Sequence, residues 1–243
     1  MNKDILVNLP DININYDMDV KTDSKEAEEV VNAWGLGERN NQVIVKDFIF
    51  NLYKNSIYYF CGYSGSGKSS ILQKIAEILY NDHKAINLKY ITDYKKFVRL
   101  EADDDKLVID FLPKIKYENK IKILSRCGLL EAWKFVTPLG KLSDGEKFRF
   151  VLYYIIGEVL LDSAFTEAII IFDEFASTLD RITAKAIAEN ITKIIQYVNE
   201  TFSINLTFIL ASTHEDLINH INADYVYFKE FSPKVKNVVL ESA

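Results

Sequence analysis

The chain alternates between short continuous apolar runs and longer stretches whose apolar residues recur every three or four positions. Ile57-Tyr-Tyr-Phe-Cys61, Ala168-Ile-Ile-Ile-Phe172 and Leu206–Ala211 are too short for helices and apolar almost throughout. That pattern predicts strands buried on both faces of a parallel sheet. Between the first two, Ser70–Tyr80 places Ile71, Leu72, Ile75, Ile78 and Leu79 at helical spacing. Phe148–Leu161 and Ile182–Val198 read as further helices. Strands alternating with helices make this an α/β chain. Alternation at Ile12, Ile14 and Tyr16 predicts an edge strand, and Ser24–Ala33 a short helix with Ser24 as N-cap and Glu28 and Glu29 early in it. Val43–Leu52 reads as one or two strands, Ala85–Leu88 as another, and Tyr225–Lys229 with Val235–Leu240 as a closing antiparallel pair. Residues 93–133 break the pattern: they are charged, lysine-rich and mostly helical, with a short apolar segment at Lys106–Phe111. No repeat, low-complexity tract or linker divides the chain.

Composition narrows the class. With 243 residues, 49% hydrophobic and 26% charged, the chain has room for a sizeable core in one large domain or two small ones. No stretch approaches the ~18 apolar residues of a membrane span, because the richest one, Phe148–Leu161, is interrupted by Arg149, Gly157 and Glu158. The first ten residues lack the basic and apolar regions of a secretory signal. Cys61 and Cys127 make neither a disulfide framework nor a zinc pattern, and Cys61 reads as a small buried hydrophobe. A cytoplasmic protein is expected. The net charge of −6 is unevenly spread, since residues 84–149 hold 15 Lys/Arg against 10 Asp/Glu. A solvated helical surface is the simpler explanation; a docking face for an acidic partner such as nucleic acid is the alternative.

The chemistry concentrates at residues 62–70, which are Gly62, Tyr63, Ser64, Gly65, Ser66, Gly67, Lys68, Ser69 and Ser70. A loop of this composition can point backbone N–H groups at a di- or triphosphate, with glycines where a Cβ would block the path. Lys68 supplies a cation for the β- and γ-phosphates and Ser69 a hydroxyl for Mg²⁺. Strand, loop and helix follow in the required order, and a helix N-terminus favours an anion. About 105 residues on, the run Ala168–Phe172 ends in Asp173 and Glu174. A buried strand would carry Asp173 to the carboxyl edge of the sheet, where it can hold Mg²⁺ through water while Glu174 acts on an attacking water. Leu142-Ser143-Asp144-Gly145-Glu146 opens the helix of Phe148–Leu161. Taken alone it reads as an ordinary N-cap at Ser143 or Asp144, although a helix start with Ser and Gly can also bind an anion. Ser177-Thr178-Leu179-Asp180 follows Glu174 closely, and Ser212-Thr213-His214 ends the Leu206–Ala211 run. His214 lands where a γ-phosphate sensor would stand.

In this order the five motifs resemble those of an ATP-binding-cassette (ABC) ATPase. Gly62–Ser70 is similar to the Walker A loop, Ile169–Glu174 to the Walker B strand, Leu142–Glu146 to the signature loop, Ser177–Asp180 to the D-loop and His214 to the switch histidine. The resemblance implies a P-loop NTPase fold of the ABC type: a mostly parallel core sheet, an antiparallel β portion and a short helical subdomain at about 93–160, in a single nucleotide-binding domain over 1–243. It implies ATP and Mg²⁺ as ligands, the metal held by Ser69 and Asp173. Glu174 is the implied general base, with Lys68 and His214 on the phosphates. It further implies a head-to-tail homodimer in which Ser143 and Gly145 of one copy face the ATP of the other and Asp180 links the two sites. Trp34 is a candidate to stack on adenine, with a half-buried aromatic in an N-terminal turn as the alternative; Tyr53 is a lesser candidate.

The departures are informative. Asp144 replaces Gly and Glu146 replaces Gln in the signature, and Phe175 stands where transporter subunits usually have Pro. Gln42, Gln73 and Gln196 are all wrongly placed for a Q-loop; Asp110 occupies about that position and is expected to substitute as a metal or water ligand. Loss of the Q-loop argues against the alternative, an ATPase subunit of a membrane ABC transporter. Residues 142–149 and 173–184, with Ala33-Trp-Gly-Leu-Gly37, look like a soluble ABC-type group often fused to an acetyltransferase-like domain. The ATPase is expected to fill this chain, so the resemblance implies a separate partner protein of acetyltransferase-like type, with nucleic acid as the other expected partner.

Overall fold

The computed structural model describes residues 3–17, 22–35, 41–101 and 104–238. Leu36 and Gly37 of the N-terminal motif, and Val239 and Leu240 of the last expected strand, lie outside them. In chain order the elements are β1 (Ile5–Asn8), β2 (Ile12–Asp17), α1 (Lys25–Trp34), β3 (Asn41–Phe48), β4 (Asn51–Tyr53), β5 (Ile57–Gly62), α2 (Lys68–Asp82), β6 (Asn87–Ile91) and α3 (Tyr94–Glu101). They continue as α4 (Tyr117–Arg126), α5 (Ala132–Phe135), α6 (Asp144–Leu161), β7 (Glu167–Phe172), α7 (Arg181–Phe202), β8 (Asn205–Ala211), α8 (Ile218–Ile221), β9 (Tyr225–Lys229) and β10 (Val235–Val238).

Six strands form one sheet in the order β10-β9-β5-β8-β7-β6, parallel except for β10. β1–β4 and β2–β3 form two separate antiparallel pairs. The apolar runs became the central strands because both sheet faces are covered. Ile170 and Phe172 of β7 face one core, built with α6 and α7, and Ile169 and Ile171 face the other, built with α2 and the antiparallel pairs. Ile169, Ile170 and Ile171 are fully buried, each worth about 1.5–3 kcal/mol relative to exposure. Cys61 and Cys127 are buried free thiols, and burial raises the Cys61 thiol to about 11, as expected of core residues.

Local rules explain the helix ends. Ser24 caps α1 by accepting from the Ala27 N–H, and Asp180 caps α7 by accepting from Thr183. Two expectations shift. The strand placed at Ala85–Leu88 runs instead from Asn87 to Ile91, and β9 is not merely half of a closing hairpin: it also pairs parallel with β5 from Tyr58↔Tyr225 to Gly62↔Lys229. The Lys106–Phe111 segment forms a 3-10 turn at Val108–Asp110.

Candidate functional site

β5 ends at Gly62, and the chain from there to α2 wraps a cavity of about 420 Å³ at the carboxyl edge of the sheet. It is lined by Ser64, Gly65, Gly67, Lys68, Ser69 and Ser70 from the loop, Asp173, Glu174 and Ser177 after β7, and Ala211, Ser212 and Thr213 after β8. Parallel pairing of β5 with β8 and β8 with β7 places these three strand ends side by side. The loop's path needs glycine at two points. Gly62 has φ +127° and a Cβ there would strike the Lys229 carbonyl; Gly67 has φ +100° and a Cβ would strike Ile44 of β3. Gly67 is also the N-cap of α2, with no side-chain hydrogen bond on that helix end, so the first-turn N–H groups remain for an anion.

Lys68 is buried and donates through Nζ to the carbonyls of Gly62 and Tyr63, both at 2.7 Å. Burial lowers its pKa, opposed chiefly by the nearby charge of Asp173 and more weakly by that of Glu174. Ser66 Oγ is buried without a hydrogen-bond partner inside the loop. Asp173 is buried, and its Oδ1 accepts from the Glu174 N–H at 3.0 Å. Glu174 follows with φ 52°, a left-handed backbone rarely adopted outside glycine, while the Phe175 N–H is fixed by the Ala211 carbonyl at 2.7 Å. That turn aims the Glu174 side of the chain into the cavity instead of continuing the strand. Ser69 and Asp173 offer hard oxygen donors across the same cavity, the type of set that Mg²⁺ shares with phosphate oxygens and water. Among the described residues no cluster of three or more His, Cys, Asp or Glu could hold a metal unaided.

Other expected residues lie outside the cavity lining. Gly62 and Ser66 are buried behind the loop, and Tyr63 is exposed and stacks on Phe231 with ring centroids 5.8 Å apart. Phe231 was not singled out from the sequence; nothing local distinguishes it from any exposed turn aromatic. His214 follows the lining residue Thr213, its carbonyl accepting from Tyr59 Oη at 2.6 Å. Burial lowers the imidazole pKa, Arg181 lowers it further, and a hydrogen bond to the Ser177 backbone raises it. Asp180 is taken up as the α7 cap. Asp110 sits exposed on its 3-10 turn, where its charge acts on Lys120, and is not among the residues lining the cavity. Trp34 ends α1 at 78% exposure, in place of the half-buried position considered, and also lies outside the lining. Tyr53 is stacked on Tyr225 at 5.4 Å, at the start of β9 and so at the opposite end of the strands from the loop, which removes it as a base platform. A second depression lined by Asn13, Asn15, Gln73 and Lys74 shares Ser70 with the main cavity. Its amides come from β2 and α2, whose adjacency no sequence motif announced.

The tip of α6 is not part of this chain's own cavity. Ser143 Oγ accepts from the Glu146 N–H at 3.4 Å, and Glu146 Oε2 accepts from the Ser143 N–H at 2.8 Å, a complete capping box. Asp144 pairs with Lys95 at 2.7 Å and Glu146 with Lys134. Burial opposes the Glu146 charge, but Lys134 and the Ser143 N–H hold its carboxyl below the usual range. Gly145 lies against Leu179 of the Ser177–Asp180 segment.

No protein-family model matches the chain, and no curated protein matches it. Solved structures do. MJ0796, described as a dimeric bacterial ABC transporter cassette, is 12% identical, with a TM-score of 0.58 over 95% of this chain and 97% of that one. A chain of a proposed metal-chelate type ABC transporter in an inward-facing conformation is 16% identical, with a TM-score of 0.57 over 98% of this chain and 83% of that one. At these identities the likeness establishes the fold, a P-loop α/β fold of the ABC ATPase cassette type. No helix among the described residues is long and apolar enough to cross a membrane.

Proposed function

We propose that the chain is an ABC-type ATPase, a single nucleotide-binding domain that binds and hydrolyses Mg-ATP between two head-to-tail copies and so switches a partner protein or nucleic acid. The observation that carries the reading is the convergence of Lys68, Ser69, Asp173 and Glu174 on one open cavity under a glycine loop. In this reading Lys68 exchanges its two backbone carbonyls for phosphate oxygens, and the loop N–H groups and the open end of α2 take the rest of the charge. Mg²⁺, held by Ser69 and Asp173, would neutralise charge on the terminal phosphates. Glu174 takes the proton of the attacking water, and Ser212, Thr213 and His214 border the γ-phosphate side. The capped tip of α6, outside the cavity of its own chain, is left to face the ATP of the second copy.

The test is Glu174→Gln. It is expected to keep ATP affinity within about threefold, to lower turnover by at least ~100-fold, and to double the mass seen by light scattering when ATP is added. A nucleotide-bound monomer in that variant counts against the sandwich.

A second reading is the ATPase subunit of a membrane transporter, favoured by the similarity in fold to two transporter cassettes. Co-purification with a membrane-embedded partner supports it. The absence of a Q-loop glutamine weighs the other way.

A further inference from the structure

The first turn of α6 carries two carboxylates, Asp144 and Glu146. Both stabilise the helix, because anions favour an N-terminus. Both also repel any phosphate brought to that end, so an acidic tip and a triphosphate site are in conflict unless the charges are cancelled. The chain treats the two differently. Asp144 is 61% exposed and its partner Lys95 47% exposed, so water already screens that charge and the pair adds little. Glu146 and Lys134 are 12% and 13% exposed, so the Glu146 charge depends on its partner. One Glu146 oxygen meets Lys134 and the other accepts from the Ser143 N–H at 2.8 Å, which holds the carboxylate against the backbone of the tip itself, where its charge most needs a counter-ion. The Lys134 ammonium in turn lies 3.7 Å from the centre of the Trp133 ring, whose π face adds a second weak counter-charge. The capping box leaves the N–H groups of Asp144 and Gly145 outside it, at the point where a phosphate would arrive.

We propose that Lys134 is a positioning residue for the second half of the ATP site: by pairing with Glu146 it cancels that partly buried charge and holds Ser143, so that an acidic helix tip accepts the triphosphate presented by another copy of the chain. This rests on the head-to-tail reading above. Lys134 is separated from Glu146 by a loop and a short helix, and no motif contains it.

The experiment uses the full chain in the Glu174→Gln background, with two readouts: ATP affinity of the monomer and ATP-driven dimerisation by analytical ultracentrifugation. Lys134→Met is expected to leave monomer affinity within about threefold and to weaken dimerisation by at least ~10-fold, the scale for leaving a partly buried charged group without its hydrogen-bond partner. Lys134→Arg is expected to keep most of the dimer, and Lys95→Ala to weaken it by no more than about threefold. Lys134→Met combined with Glu146→Gln, which keeps a capping side chain without its charge, is expected to restore dimerisation. Dimerisation of Lys134→Met equal to its parent overturns the inference. So does a double variant as weak as the single one, which would reduce Lys134 to a fold-stabilising role. If Lys134→Met does not fold, the double variant alone decides, since it must dimerise like the parent. A parent that binds ATP and stays monomeric overturns the head-to-tail reading, and this inference with it.

Discussion

Two helix ends in this chain have similar composition and opposite chemistry. α2 begins at Gly67-Lys68-Ser69 and α6 at Ser143-Asp144-Gly145-Glu146, each a mixture of Gly, Ser and charge. At α2 no side chain caps the helix, the one charge is a buried cation, and a 420 Å³ cavity lies in front. At α6 a reciprocal capping box satisfies two N–H groups and two acids occupy the first turn. A helix N-terminus becomes an anion site only where the chain leaves its donors without internal acceptors and keeps carboxylates away. α2 meets that condition by itself. α6 meets it only if basic residues from elsewhere cancel its acids.

The contrast can be tested from both ends. The largest effect is expected at α2: Lys68→Ala should weaken ATP binding by about 100-fold or more, since a charge-assisted contact to phosphate is lost. Titration with a fluorescent ATP analogue measures it, and unchanged affinity would remove the phosphate-loop role. Next comes Gly62→Ala. Its Cβ meets the Lys229 backbone at φ +127°, so strain and overpacking together should cost about 2–5 kcal/mol. Thermal unfolding should then shift down by at least ~5 °C. Ser143→Ala should do less, removing an N-cap worth ~1 kcal/mol and lowering the midpoint by roughly 2–4 °C. Monomer affinity for ATP should not change, because Ser143 is not in that chain's cavity.

The smallest effect concerns pH. His214 has a folded pKa below its ordinary value, chiefly from burial, so the unfolded chain binds the proton more readily. Its contribution to stability is therefore complete above the unfolded value and is lost as pH falls through the window down to the folded one. Between pH 7.5 and 5, His214→Gln should flatten the pH dependence of the melting temperature by no more than ~2 °C. A steeper curve in the variant would contradict the assigned direction.

Much of this was legible in the sequence because the responsible interactions are local. Three fully buried strands announced themselves as apolar runs, the glycine loop is contiguous, and Ser24 and Ser143 cap the helices expected of them. His214 follows the strand that its position after an apolar run predicts, β8, which pairs with β7. The position of Asp110 was less legible. Counting along the chain placed it near an expected metal ligand, but the helical stretch between β6 and β7 carries it onto an exposed turn facing Lys120. An acid looks the same in sequence whether it faces a metal or a lysine.

The sequence by itself determined the α/β class, the order of the elements, the glycine loop and the strand that ends in Asp173 and Glu174. Each follows from periodicity or from a stretch of a few consecutive residues, so neighbours along the chain are enough to decide it. Tertiary structure alone decided that β9 lies parallel to β5, that Lys229 closes over Gly62, that Asn13 and Gln73 share a depression with Ser70, and that Lys134 and Lys95 reach the acids of α6. Those pairings join segments distant in sequence, and a lysine on a helix surface carries no mark of which carboxylate the fold will bring to it.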